Sequence, residues 1–181
     1  PPQPVSEDQR KARKDHAVKG LRAAGEHAAK AGVMLAVEPL NRFESDVLCT
    51  TQQAMELLDA VDHPAVALML DTFHMHMEEA SIAEAILLAG PRICHFQANE
   101  NHRGFPGTGA TDWVSVCRAL REVGYAGPVS LEPFRRDDDR FCVPFAQWRA
   151  PHEDESDRLA QMVPGAVEVH GSIDADEKER Q

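Results

Sequence analysis

Residues 33–39 read VMLAVEP, and three later segments repeat the same pattern: VALMLDTFH (66–74), ICHFQANE (93–100) and VSLEPF (129–134). Each segment is a short apolar run followed by one polar residue with a side-chain oxygen. Those polar residues are Glu38, Asp71, Gln97 and Glu132. Their spacings of 33, 26 and 35 residues each match about one strand–helix–strand unit. Strand patterns separated by helical patterns at this period predict βα units that build a parallel sheet.

The segments between the strands carry helical patterns with recognisable start and stop signals. Ser6 is a candidate N-cap for a first helix, and Gly32 would end that helix before the first strand. The predicted helices are residues 6–30, 50–61, 81–89 and 112–123, with a further one at 153–162. We divide the chain into an N-terminal arm (1–11), one domain (12–162) and a polar tail (163–181) that we expect to be disordered.

Composition narrows the class of protein. The net charge of −11 repels phosphate backbones, which argues against nucleic-acid binding by electrostatics. No run approaches the ~18 apolar residues of a membrane span, and nothing at the N-terminus resembles a signal peptide. The four cysteines are far apart and form no CxxC pair, a pattern typical of reduced thiols. We therefore expect a cytoplasmic protein without membrane contact.

Strand periodicity predicts that the four polar residues converge. Residues two apart on a strand share one face, which pairs Ala36 with Glu38, Met69 with Asp71, His95 with Gln97, and Ser130 with Glu132. In a barrel of βα units, the carboxyl ends of the strands point into one shared mouth. Three carboxylates and one amide oxygen in that mouth form a site for a hard divalent cation. Such a site indicates metal-assisted chemistry on a small oxygenated substrate.

The number of units is half of what a closed barrel needs. Four βα units cannot close a barrel of eight, so we expect this chain to supply the last four units and another segment to supply the remaining strands. The chain alone should then be inactive and marginally stable, with unpaired strand edges at residues 33–39 and 129–134. A homo-oligomer is possible, although two copies closed face to face would place eight metal ligands in one mouth.

Four motifs resemble a known family. They are VEPLNRFE (37–44), LDTFHMHMEE (70–79), ENHRGFPGTG (100–109) and LEPF (131–134). In order and spacing they resemble the D-tagatose/D-psicose 3-epimerase and hydroxypyruvate isomerase group, within the xylose-isomerase-like TIM barrels of sugar phosphate isomerases and epimerases. The resemblance covers roughly residues 12–160. It implies a (β/α)8 fold and a divalent metal cofactor, with Mn²⁺ as the first expectation and Co²⁺ or Mg²⁺ as alternatives.

The resemblance also implies roles for individual residues. Glu38 and Glu132 match the two glutamates that bind the metal and serve as acid and base, and Asp71 matches the aspartate ligand. Gln97 stands where the epimerases carry a histidine ligand, and in this respect the chain is similar to the hydroxypyruvate isomerase branch. The positions of the substrate-binding groups are held by Glu44, His74 and Arg103. His102 departs from the Asn or Asp usual in epimerases.

The implied chemistry moves a proton next to a carbonyl group of a ketose or hydroxy-carbonyl acid through an enolate or enediol. A divalent ion stabilises the developing negative charge, and two carboxylates serve as base and acid. Return of the proton to the opposite face epimerises the carbon, whereas return to the neighbouring carbon interconverts aldose and ketose. The sequence leaves both outcomes open. Two other functions compete: a metal-dependent nuclease like endonuclease IV, which would need more histidine ligands and a basic groove, and a non-catalytic half barrel.

Overall fold

A computed structural model describes residues 6–132 of the chain. Its four strands form one parallel sheet in which spatial order follows chain order. The strands are β1 (Leu35–Val37), β2 (Val66–Asp71), β3 (Ile93–Gln97) and β4 (Val129–Ser130). A doubly wound sheet would reverse its strand order partway, whereas consecutive neighbours are the arrangement of a (β/α)8 barrel. The predicted fold class is confirmed, and the chain forms part of such a barrel.

Five α-helices accompany the sheet: α1 (Glu7–Ala31), α2 (Thr51–Val61), α3 (Thr72–Glu78), α4 (Ile82–Ala89) and α5 (Trp113–Glu122). Side-chain N-caps begin α1, α2, α4 and α5 at Ser6, Thr50, Ser81 and Asp112, each accepting from the backbone N–H three residues later. Gly32 ends α1 with a left-handed φ of 68°, a conformation that glycine adopts at little cost. These four helices confirm the sequence prediction to within a residue or two.

The structure corrects several boundaries. The predicted boundary between arm and domain at residue 11 is wrong, because residues 7–11 belong to α1, in agreement with the helix predicted from residue 6. Helix α3 was not predicted, because its seven residues directly follow a strand and are too few to show a helical period. Strands β1 and β4 are shorter than their apolar runs. The predicted helix at 153–162 and the tail at 163–181 lie outside the described residues.

The sheet has one covered face and one open face. Leu68, Leu70 and Phe96 are each at most 1% exposed, and they belong to a core that also includes residues of α2, α4 and α5. On the other face, Met69 and His95 are half-buried and Ala36 is exposed. The open face is the one predicted to point into the barrel. No helix within residues 6–132 has the length and apolar character needed to cross a membrane.

Two glycines of α1 provide a matched test of helix packing. A Cβ atom at Gly20 would have nothing within 4 Å, whereas one at Gly25 would lie 2.7 Å from His63 Nδ1 and 3.0 Å from Val66 Cγ2. The His63 ring cannot shift freely, since its Nδ1 accepts from the Ala65 N–H at 3.1 Å. The two positions therefore lie in the same helix and differ in the room available for a Cβ atom.

We predict opposite effects of alanine at these positions. Gly20→Ala should raise the free energy of unfolding by about 0.5–1 kcal/mol through helix propensity. Gly25→Ala should lower it by about 1–3 kcal/mol, because overpacking against His63 exceeds the same propensity gain. Urea unfolding of the 181-residue chain and the two variants measures both values. Equal stabilisation by the two substitutions would show that α1 does not pack on the β2 segment.

Candidate active site

Seven sequence-predicted residues meet at the carboxyl ends of the strands. Glu38 directly follows β1, Asp71 and Gln97 are the last residues of β2 and β3, and Glu132 lies two residues after β4. The other three come from adjoining segments: Glu44 from the loop before α2, His74 from α3, and Arg103 from the loop before α5. Asp71 and Gln97 are register partners, as are Gln97 and Ser130. The central residues of the site therefore lie side by side on neighbouring strands.

The two oxygens of the Asp71 carboxylate have different surroundings. Its Oδ1 accepts from the Phe73 N–H at 2.9 Å, which caps α3, and from Asn99 Nδ2 at 2.9 Å. Its Oδ2 lies 3.8 Å from His74 Nε2 and 4.0 Å from Arg103 Nη2. The carboxylate therefore begins a helix with one oxygen and presents the other to the centre of the site.

Glu38 carries the most perturbed carboxyl group of the site. Its Oε1 is buried, has no hydrogen-bond partner among the described residues, and lies 3.7 Å from His74 Nε2. Burial raises the pKa of Glu38 to about 7, and repulsion from Asp71 and Glu132 adds to the effect. Burial likewise raises the pKa of Asp71 to about 6, although the hydrogen bond from Asn99 opposes the shift. The cluster holds more negative charge than its surroundings stabilise.

Gln97 lies between two carboxylates. One atom of its amide group is 3.2 Å from Glu132 Oε2 and 3.3 Å from Asp71 Oδ2. With the nitrogen in that position, Gln97 donates to both carboxylates. With the amide oxygen there, it lies 3.2 Å and 3.3 Å from the two carboxylate oxygens, close to the separation expected for neighbouring ligands of one small divalent ion at ~2.1 Å bond length. The Gln97 amide can therefore donate hydrogen bonds to the carboxylates when no cation is bound, or offer its oxygen as a ligand when one is bound.

His74 is held as a neutral hydrogen-bond donor. The Asn41 backbone N–H donates to its Nδ1 at 3.2 Å, and Asn41 Nδ2 lies 2.9 Å from the same atom. A backbone N–H can only donate, so Nδ1 is an acceptor and the ring proton is on Nε2. Burial and the nearby Arg103 lower the pKa of His74 to about 4. Although Glu38, Asp71 and His74 offer ligand atoms within 4.8 Å of one another, this tautomer favours donation by His74 over metal ligation.

Arg103 brings positive charge to the cluster. Its φ of 59° is left-handed, and the turn that contains it is closed by hydrogen bonds from Arg103 N–H to Glu100 O at 2.8 Å and from Glu100 N–H to Gly104 O at 3.0 Å. The guanidinium lies 4.5 Å above the Phe73 ring, with Nη2 2.7 Å from Glu132 Oε2. Nη1 is 3.9 Å from Glu44 Oε1. Arg103 thus lies close to both Glu132, a candidate metal ligand, and Glu44, a candidate substrate-binding residue.

The donor set fits a hard divalent metal ion. Its members are oxygen donors, three of them carboxylates, and the buried Glu38 Oε1 has no other partner among the described residues. The raised pKa values of Glu38 and Asp71 indicate that burial and mutual repulsion disfavour the ionised carboxylates, a cost that a bound cation would offset. The residues suited to hold the ion are Glu38, Asp71, Gln97 and Glu132.

Three buried polar residues of the site escaped the sequence analysis: Asn41, Asn99 and Glu100, each at most 1% exposed. Asn41 holds Glu44 and His74, since its Nδ2 also donates to Glu44 Oε1 at 2.7 Å. Burial acts to raise the pKa of Glu100, but hydrogen bonds from Thr111, Trp113 and the Gly107 N–H outweigh it, so the pKa is lowered. A signal existed for Asn99, which follows Gln97 by two residues and so shares its inward parity.

The raised pKa of Glu38 predicts that Glu38→Gln increases the free energy of unfolding of chelator-treated protein, and that the increase depends on pH. Ionising Glu38 costs stability as the pH rises from about 5 to about 8, because the folded-state pKa exceeds the ordinary value of 4.5. The uncharged variant should be more stable than the parent chain by on the order of 2 kcal/mol at pH 8, and the difference should vanish near pH 5. Denaturant unfolding at both pH values measures this difference. Glu122→Gln, at an exposed position of α5, is the control. A difference independent of pH would contradict the assignment.

Comparison with known proteins identifies the family. A family model described as xylose isomerase-like TIM barrel matches residues 1–162. A D-psicose 3-epimerase of Enterocloster bolteae is 36% identical over 153 residues, covering 84% of this chain and 51% of that protein. The chain thus spans about half the length of the curated relatives it matches.

Solved structures agree with this comparison. D-psicose 3-epimerase of Clostridium cellulolyticum H10, solved with D-tagatose, superimposes with a TM-score of 0.79 at 36% identity over 88% of this chain and 57% of that one. A D-allulose 3-epimerase of Methylomonas sp., solved with D-allulose, gives a TM-score of 0.77 at 32% identity over 87% and 54%. The chain belongs to the xylose isomerase-like TIM barrel family.

Proposed function

We propose that this chain carries the metal and acid–base centre of a ketose 3-epimerase. The observation that carries the proposal is the convergence of Glu38, Asp71, Gln97 and Glu132 at the carboxyl ends of four parallel strands, with one buried Glu38 oxygen lacking a hydrogen-bond partner among the described residues. Similarity to relatives named D-psicose 3-epimerase and L-ribulose 3-epimerase supports a ketose as the substrate.

The acid–base assignment rests on Glu38 and Glu132. A pKa of about 7 lets Glu38 accept a proton from carbon and release it again near neutral pH. Arg103 Nη2 donates to Glu132 Oε2 at 2.7 Å, which holds that carboxylate in place. In the proposed reaction, one carboxylate removes the proton from the substrate carbon next to the carbonyl. The other, protonated at the start, returns a proton to the opposite face, and the two exchange protonation states.

The surrounding residues bind and orient the substrate. His74, protonated at Nε2, donates to a substrate oxygen, and Glu44 accepts from a substrate hydroxyl. Arg103 lies on the Phe73 ring and fixes Glu132. When bound by the four ligands, a divalent ion would supply Lewis-acid stabilisation of the charge that develops on the substrate oxygens. Mn²⁺ is the first ion to test, followed by Co²⁺ and Mg²⁺.

One observation favours a second candidate function, aldose–ketose isomerisation. Gln97 supplies an amide where the resemblance to epimerases places histidine, and the hydroxypyruvate isomerase branch shares the amide. Both reactions begin with the same proton abstraction and differ in the carbon that receives the proton.

Incubation in D₂O with Mn²⁺ distinguishes the two reactions. D-fructose, D-psicose, D-tagatose, L-ribulose and hydroxypyruvate are incubated separately and followed by NMR. Epimerisation should place deuterium at C3 of the ketose and produce the C3 epimer, whereas isomerisation should produce the aldose or aldehyde with label on the adjacent carbon. Absence of exchange in every substrate, with Mn²⁺ bound to a protein in which four further βα units precede this chain, would refute both.

The open inner face of the sheet predicts where activity will be found. We expect turnover from a protein in which four further βα units precede this chain, and none from the 181 residues alone, because an open face cannot exclude water from the reacting carbon. The same NMR assay on both preparations measures this. Turnover of the isolated chain at the rate of the longer protein would contradict the half-barrel interpretation.

Glu132→Gln separates metal binding from proton transfer. The amide keeps an oxygen ligand but cannot exchange protons, so we expect Mn²⁺ binding to be retained while turnover falls ~100-fold or more. The measurement combines Mn²⁺ titration with the NMR assay in the preparation that is active. Turnover within threefold of the parent protein would move the acid–base role to another residue.

A further inference from the structure

Asn99 connects two candidate metal ligands through one buried side chain. It lies two residues after β3 and is 1% exposed. Its Nδ2 donates to Asp71 Oδ1 at 2.9 Å, and its Oδ1 accepts from the backbone N–H of Glu132 at 2.9 Å. Asp71 ends β2 and Glu132 follows β4, so this one amide spans the ends of three neighbouring strands.

The orientation of the Asn99 amide is determined by its partners. A carboxylate can only accept and a backbone N–H can only donate, so the nitrogen must face Asp71 and the oxygen must face Glu132. The Asn99 backbone is held independently, since its N–H donates to Thr72 Oγ1 at 2.8 Å. The side chain is therefore fixed from both ends, which is the geometry required to fix its neighbours.

The contact to Glu132 replaces a missing sheet hydrogen bond. Strand β4 is only two residues long, and the last backbone bond between β3 and this segment runs from Ala98 N–H to Ser130 O at 2.8 Å. The next inward residue, Glu132, is held at its N–H by the Asn99 side chain. The contact to Asp71 occupies Oδ1 and leaves Oδ2 toward Gln97.

We propose that Asn99 is a positioning residue of the candidate metal centre, where it sets the separation between the Asp71 and Glu132 carboxylates. The inference rests on the proposed metal site and assigns Asn99 no direct contact with the ion. Loss of an outer-shell hydrogen bond to a ligand typically weakens metal binding 10–100-fold, and Asn99 supports two ligands.

The test is Mn²⁺ affinity of the full 181-residue chain, measured by the EPR signal of free Mn²⁺. Asn99→Ala should weaken binding 10–100-fold. The control is Ile86→Val, which removes one buried methyl group from the core on α4 and is not a residue of the candidate site. It should lower the melting temperature through the cavity it leaves and change Mn²⁺ affinity by less than about threefold.

A second readout separates positioning from general destabilisation. The visible absorption of bound Co²⁺ responds to ligand arrangement, so it should change in Asn99→Ala and stay as in the parent chain in Ile86→Val. If Asn99→Ala does not fold, Asn99→Ser serves in its place; failure of both to fold would make Asn99 a residue of the fold and overturn the proposal.

The outcomes also separate this inference from the proposed function. A parent chain that does not bind Mn²⁺ refutes the proposed metal site. A parent chain that binds Mn²⁺, with a folded Asn99→Ala that binds within threefold of it, overturns the role of Asn99 alone. Equal loss of affinity in Asn99→Ala and Ile86→Val would likewise overturn it, because the effect would then follow stability.

Discussion

The organisation of this protein depends on the repulsion among carboxylates gathered at one end of a parallel sheet. Glu38, Asp71, Glu44 and Glu132 lie around Arg103, and the pKa of Glu38 still rises to about 7. Among residues 6–132, one guanidinium does not balance four carboxylates in a partly buried site. The hydrogen bond from Asn99, and those from Gln97 when its amide nitrogen faces the carboxylates, reduce the imbalance without removing it. The remaining excess of negative charge is the physical basis for expecting a divalent cation.

The connection from β2 to α3 makes the cluster compact. Asp71 is both the last residue of the strand and the N-cap of the helix, so no loop separates them. His74 then lies one helical turn from Asp71, and its Nε2 reaches both Asp71 and Glu38. Asn41, from the preceding loop, fixes the tautomer of His74. Three chain segments thus determine how one imidazole faces the carboxylates.

Sequence periodicity was sufficient to predict the sheet and the convergence of four polar residues at its end, whereas Glu44, His74 and Arg103 were indicated by the resemblance to a known family. The parity of Asp71, Gln97 and Glu132 follows from the two-residue period of a strand, which local sequence determines. The seven-residue helix α3 could not be predicted, because it is shorter than the window in which a helical period becomes visible. Asn41 and Asn99 were missed for another reason: a buried asparagine is recognised by its partners, and those lie 28 to 33 residues away along the chain.

The candidate site residues and the surface that would enclose them come from different parts of a closed barrel. All seven candidate site residues come from four consecutive βα units. The inward side chains of the same strands, including Met69 and His95, are half-buried, and residues 6–132 supply no facing sheet. On the proposed function, further strands would contribute little to metal ligation or proton transfer and much to the exclusion of water. Enclosure raises the strength of every charge interaction in the site, because the effective dielectric constant falls. The electrostatic imbalance of the open cluster would therefore deepen on closure, so a closed barrel should need its cation more strongly than this half does.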